Sequence, residues 1–252
     1  MDQELYKAGT ENFSLPHDVV VLPSQGLFYP SKKKSVKLGY LNATDENYLL
    51  SNSPSIRDNM VMTLLRNKIY EHDLRPEELL EGDVEAILIF LRNTSFGPEY
   101  NLILIDPKTG KPFNHIEYLD SLDFKKNIQP PNEKGFYVTT LPKTQVTIEL
   151  RPLTFYEILE IDKACDSYPP SMVAPRITMR LQKMIVSING NPDGEEIGKL
   201  IQTLPIMDSK HIRKFVRDNQ PGLDLIRTTI SPSGERVTFS VSFGDEFFRP
   251  FF

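Results

Sequence analysis

Few stretches of this 252-residue chain place reactive side chains at a spacing that chemistry would use. Gly194-Glu195-Glu196-Ile197-Gly198-Lys199-Leu200 approaches a phosphate-binding loop. Such a loop needs one more residue between its glycines, and a hydroxyl after its lysine to reach magnesium; Leu200 offers none. The segment reads instead as a helix start with a polar face. Asn189-Gly190-Asn191-Pro192-Asp193-Gly194 imitates the opening of a calcium loop. The position that must carry a bidentate glutamate falls on Leu200, and Asn189 lacks the charge of the usual aspartate, so a turn between helices is the better reading. His17, His72, His115 and His211 stand apart from one another, outside any HExxH pattern. Cys165, in an apolar helical stretch, reads as a small core residue rather than a nucleophile. The acidic pairs Glu77-Glu78 and Glu195-Glu196 sit in helix first turns, where the helix dipole accounts for them. Acid–base work needs carboxylates in contrasting environments, which nothing here suggests. No reaction, cofactor or metal is therefore assigned.

Two features suit binding rather than catalysis. Arg176, Arg180 and Lys183 share a helix face by spacing, and Lys210, Arg213, Lys214 and Arg217 could join them in one patch. Such a patch is either a solvated face or a docking surface for an acidic partner or nucleic acid. The C-terminal GDEFFRPFF carries Phe247, Phe248, Phe251 and Phe252 around Arg249. Each ring left in water forgoes about 1.5–3 kcal/mol of burial. The tail either folds back on its own core or plugs into a partner. Phe247, Phe248, Arg249, Phe251 and Phe252, with Arg176, Arg180 and Lys183, are thus the candidate partner-binding residues.

The elements that must carry these residues follow from periodicity. Val19 to Leu22 reads as a short buried strand, LPSQGLFYP (Leu22 to Pro30) as a loop and Ser35 to Leu41 as a half-buried strand. Thr44 opens an acidic helix. Val84, Ile87, Leu88 and Leu91 mark a buried helix from Asp83 to Asn93, followed by a strand from Tyr100 to Ile105 and a turn at Asp106 to Gly110. The second half repeats the order. Phe136 to Leu141 and Gln145 to Leu150 form a hairpin, and Thr154 with Glu157 makes a capping box. Val173, Ile177, Leu181, Met184 and Ile188 line one face of a further helix. Ser209 caps another, and a hairpin turning at Ser231 to Gly234 closes the chain. VVVLPSQG…SVKLGYLNATDENYLL parallels YVTTLPKT…QVTIELRPLTFYEILE, which argues for an internal duplication. The division is a tail over 1–17, a first αβ half over 18–125 and a second over 126–252 that ends in the aromatic tail. The net charge of −5 gives no global attraction for nucleic acid or an anionic membrane. No apolar run is long enough to cross a bilayer, and the N-terminus lacks signal-peptide order, so a cytoplasmic location is the expectation.

LPSQGLFYP, the Thr-Asp-Glu helix head, RNTSFGPEY (Arg92 to Tyr100) and the late FFRP together resemble the baseplate-hub assembly proteins of T-even-type contractile-tailed bacteriophages. In many members of that family the strand after the SFG segment leads into the cysteine knuckle of a zinc ribbon. Here Asp106, Thr109, Ser231 and Ser233 stand where the cysteines would be, so a metal-free, ribbon-like hairpin held by packing is expected in each half. The expected fold class is α+β: two related halves, each a small antiparallel hairpin sheet packed with helices. The resemblance implies a non-enzymatic viral protein, chaperone-like or structural. It would build the tail baseplate hub in the host cytoplasm, or stay in the virion tail, by binding hub or tape-measure subunits, as a monomer or an oligomer. The alternative is a nucleic-acid-binding regulator on degenerate zinc-ribbon hairpins.

Overall fold

A computed structural model describes residues 16–51, 59–126, 128–243 and 245–248. Most of the N-terminal tail, and Arg249, Phe251 and Phe252 of the C-terminal tail, lie outside them. The fold is α+β, with small antiparallel sheets packed by helices.

In the first half, β1 (His17–Val21) pairs antiparallel with β2 (Ser35–Gly39). The loop between them turns at Gly26, whose φ of +71° suits glycine. A Cβ there would also meet the Lys32 carbonyl oxygen at 2.5 Å. β1 is not the buried strand its composition suggests: it lies at an edge, with Val19 and Val21 exposed. Helix α1 (Ala43–Leu49) opens on Asn42, not Thr44. The Asn42 side chain accepts from the Thr44 and Asp45 amides, and Asp45 accepts from the Asn42 amide. Helix α2 (Met60–Lys68) ends with Ile69 bridging Leu38 of β2. Its last residue, Lys68, forms a buried ion pair with Asp45. Helix α3 (Glu81–Phe96) is buried on nearly all sides between Gly82 and Arg92 and fills the middle of this half. It is followed by the hairpin of β3 (Glu99–Ile105) and β4 (Pro112–Tyr118).

The second half reuses the plan. Strands β5 (Tyr137–Thr140) and β6 (Thr147–Leu150) form a hairpin, and α4 (Phe155–Asp166) opens on the Thr154–Glu157 capping box. Helix α5 (Arg176–Met184) runs directly into β7 (Ile185–Ile188), which pairs antiparallel with β6 as Ile69 pairs with β2. The apolar stripe expected from Val173 to Ile188 is therefore split. Val173 precedes the helix and is exposed, and Ile188 belongs to a strand. Helix α6 (Gly194–Thr203) is capped by Asp193. Helix α7 (Ile206–Asn219) starts after Pro205, which leaves Ser209 inside it rather than at its cap. Proline at the boundary sets the start, since it cannot donate within a helix. Strands β8 (Ile226–Ile230) and β9 (Arg236–Ser240) make the last hairpin, and a single 3-10 turn covers Asp245–Phe248.

Two clusters of buried side chains hold these elements. One is built on β2, α2 and α3, and also takes in Leu223, Val241, Phe247 and Phe248 from the end of the chain. The other lies wholly between Tyr137 and Val216. Phe28 touches both, with its ring 5.3 Å from that of Tyr137. The segment after α3 does not run free between the halves. Phe124 bridges Leu223, and the Lys125 amide donates to the Gly222 carbonyl at 2.9 Å. A second tie joins the Phe155 amide to the Leu79 carbonyl at 2.8 Å.

Candidate functional site

These ties leave a cleft between the halves, with a volume of about 590 Å³. The first turns of α3 form one wall, with Glu81, Gly82 and Glu85. Helix α7 forms the other with Lys210, Arg213, Lys214 and Arg217, which recur at i, i+3, i+4 and i+7 and so share a face. Lys125 and Arg180 complete a set of basic side chains around it, and Leu153, Ile158, Met184 and Val216 supply apolar lining. The wall of α3 comes close because position 82 is glycine: a Cβ there would sit 2.2 Å from the Pro221 carbonyl oxygen.

Charges in the cleft are only partly matched. Lys214 pairs with Asp218 at 2.5 Å, Arg217 with the same carboxylate at 3.2 Å, and Arg180 with Asp162 at 3.1 Å. Lys210 and Arg213 form no ion pair among the described residues, and the nearest carboxylate acting on Lys125 is that of Glu85. Glu85 is pushed up to about 7, by burial first and by the neighbouring Glu81 carboxylate second, against the opposing pull of Lys125.

The three cations expected on one face of α5 separate. Arg176 turns onto α4, pairing with Asp162 at 2.7 Å and Asp166 at 3.1 Å. Lys183 is exposed outside the cleft. Only Arg180 joins the cations of α7. The reason is packing: α4 and α5 lie side by side, and the α4 carboxylates attract the first turn of α5.

Of the two courses open to the aromatic tail, Phe247 and Phe248 take the fold-back onto the chain's own core. Phe247 and Phe248 are buried in their own core and are not presented to a partner. The Phe247 ring lies over the guanidinium of Arg92, 5.7 Å away, and 5.8 Å from the ring of Tyr100. Arg92 is buried, donates to the Gly97 carbonyl at 2.5 Å and to that of Glu99 at 2.7 Å, and is held below its usual range by burial. The R-x-x-S-F-G segment thus turns the chain from α3 into β3, and the tail covers that turn.

The positions that resemble zinc knuckles converge on a carboxylate. Asp106 accepts from the Lys108 and Thr109 amides of its own turn at 2.9 and 3.3 Å. It also accepts from the amide and hydroxyl of Ser233 in the opposite hairpin at 3.2 and 2.8 Å. Burial raises the Asp106 carboxyl, but these donors outweigh it and hold it below its ordinary value. Farther along, Arg227 pairs with Glu117 at 2.9 Å, and the rings of His115 and Phe239 meet at 5.2 Å. One carboxylate and three hydroxyls, with the carboxylate already engaged on both oxygens, do not make the thiolate or imidazole set that zinc requires. Among the described residues no group of His, Cys, Asp or Glu is arranged to hold a metal.

No family model, curated protein or solved structure matches the chain.

The remaining residues of chemical interest are engaged structurally. Cys165 is buried against Met179. Asn189 accepts from the Thr147 amide at 3.1 Å, which ties the calcium-loop-like turn to β6. Lys199 pairs with Glu195 within the first turns of α6. His211 meets the Thr139 hydroxyl at 3.0 Å. Sequence reasoning missed Glu81, Glu85 and Lys125 as parts of the cleft. The α7 spacing was the one signal that pointed there.

Proposed function

We propose that this protein is a non-enzymatic assembly protein that works by protein–protein binding, in the manner of the contractile-tail baseplate hub assembly proteins it resembles. The observation that carries the reading is an unsupported apolar face on a braced hairpin. The inner face of β3–β4 packs on β8–β9, while Ile103, Ile105, Ile116 and Tyr118 point outward at 74%, 56%, 48% and 49% exposure. A strip of this kind on a structural frame suits an interface that is completed only on assembly. The buried carboxylates Asp83, Asp106 and Asp208 are taken up by backbone amides and hydroxyls, which supports a structural role for them.

The test is direct. The purified chain, mixed with recombinant hub and tape-measure subunits of a T-even-type phage, is expected to comigrate with at least one of them in gel filtration. Ile103→Lys with Ile116→Lys is expected to abolish comigration without lowering the melting temperature. Comigration with no subunit overturns the reading. The basic side chains of the cleft favour a second reading, a nucleic-acid-binding regulator, and salt-sensitive retention on duplex DNA would support that instead.

A further inference from the structure

We propose that the cleft between the two halves is a docking groove for an acidic amphipathic segment of a partner protein, with its carboxylates set against α7 and its apolar side chains on the groove floor. The inference rests on the assembly reading and names the chemistry of one partner surface.

Charge complementarity gives the occupant its sign. Lys210 and Arg213 lie one turn apart on the exposed face of α7 and have no carboxylate partner among the described residues; Lys125, which attracts Glu85, lines the same groove. Two unpaired cations one turn apart repel one another, and an incoming row of carboxylates relieves that repulsion. Arg180, buried at its Nε with no hydrogen-bond partner for that atom, adds a donor held in place by Asp162. The floor supplies the other half of the match. Leu153, Ile158, Met184 and Val216 form an apolar strip under the cations, and methionine adapts its shape to different side chains. A helix carrying acidic residues on one side and leucine-like residues on the next fits this pattern of walls and floor.

The same features argue against nucleic acid. Single strands are held by aromatic stacking beneath a cationic track, and among the described residues no Phe, Tyr or His lines the groove. Glu81 and Glu85 occupy the facing wall, where they would repel a phosphate backbone that fills the groove from side to side. A helical peptide, acidic on one flank only, turns its neutral flank to them.

The experiment uses the full chain and three fluorescein-labelled probes: an amphipathic helical peptide with Glu on one face and Leu on the other, its counterpart with Lys in place of Glu, and a single-stranded DNA oligonucleotide. Fluorescence anisotropy is expected to show binding of the Glu/Leu peptide alone. Lys210→Glu with Arg213→Glu should weaken it by about tenfold or more, whereas Lys111→Glu, on a remote hairpin turn, should leave it unchanged. Melting curves confirm that the variants fold. Equal binding of the Lys/Leu peptide, DNA binding lost in the same double variant, or no binding of any probe each overturns the proposal. The two readings fail separately. If hub subunits still comigrate with Lys210→Glu/Arg213→Glu, the groove proposal falls and the assembly reading stands. If the Glu/Leu peptide binds at the groove but no hub subunit comigrates, the reverse holds.

Discussion

Asp83 and Asp208 perform one task in two places. Each is the third residue of its helix, α3 or α7, and each is buried. Each turns its carboxylate onto amides of the Leu-Pro loop of its own half. Asp83 accepts from Ser24 at 2.9 Å, and Asp208 from Lys143 and Thr144 at 2.8 and 3.0 Å. The loops match as well: Gln25 and Gln145 both take positive φ, and their amides donate to the carbonyls of Leu22 and Leu141. With the capped helix and the strand that returns to the hairpin, this shared joint is what the two halves have in common beyond order.

The two aspartates should nevertheless respond oppositely to pH. Burial outweighs the hydrogen bonds of Asp83, including that from Tyr29, and raises it, whereas at Asp208 the loop amides outweigh burial and lower it. A lowered carboxyl contributes stability above its unfolded value of 3.8 and loses it as pH falls through the folded value. A raised one contributes most at low pH and loses it as pH rises. Asp208→Asn should therefore cost more stability at neutral than at acidic pH, and Asp83→Asn the reverse. Urea denaturation at about pH 3 and about pH 7 measures both. Parallel profiles would show that their environments do not differ.

Glu85 gives a second pH effect, with its sign fixed first by burial and then by the neighbouring Glu81 carboxylate. Its proton is bound more tightly in the folded chain, so wild-type stability falls as pH rises from 4.5 to about 7. Glu85→Gln should flatten that fall, and above neutrality should be more stable than wild type by up to about 3 kcal/mol. An unchanged slope would mean that the cleft admits enough water to solvate the carboxylate.

Phe247 anchors the end of the chain on Arg92 and Tyr100. Phe247→Ala removes a buried ring and should destabilise by about 3–4 kcal/mol. Truncation before Phe247 should do at least as much. Calorimetric melting distinguishes this from a tail free to bind elsewhere, for which neither change would move the transition.

At the junction of the two hairpins, Ser233→Ala should lower the melting temperature by about 2–4 °C, since it removes one donor to Asp106. Asp106→Ala leaves the amides of Lys108, Thr109 and Ser233 without their acceptor and should lower it further. Elemental analysis of the purified protein should find well under one zinc per chain, and chelation should leave melting unchanged.

What could be read from the sequence was local. The Thr154–Glu157 box is complete within one turn, and it formed as its spacing indicates. The α7 cations fall at helical spacing, and their common face is real. Less legible were features set by distant partners. Asp83 and Asp208 find theirs 59 and 65 residues away, with no periodic sign in between. Ile185 to Ile188 fit the end of a helical stripe as well as a strand; the free edge of β6 decides between them. Arg176 and Arg180 look equivalent on a helical wheel, yet the Asp162 and Asp166 carboxylates of α4 draw Arg176 away from the cleft.

The stitch of Phe124 to Leu223 and the seat of Phe247 bear on the order in which the protein can be made. The first core takes side chains from both ends of the described chain, whereas the second is finished by Val216. A ribosome delivers residues in sequence, so the later-made unit can close first, while the earlier one waits with Arg92, Tyr100 and α3 partly uncovered. Nascent chains halted shortly before Phe247 should be sensitive to protease in their N-terminal half and resistant in the middle.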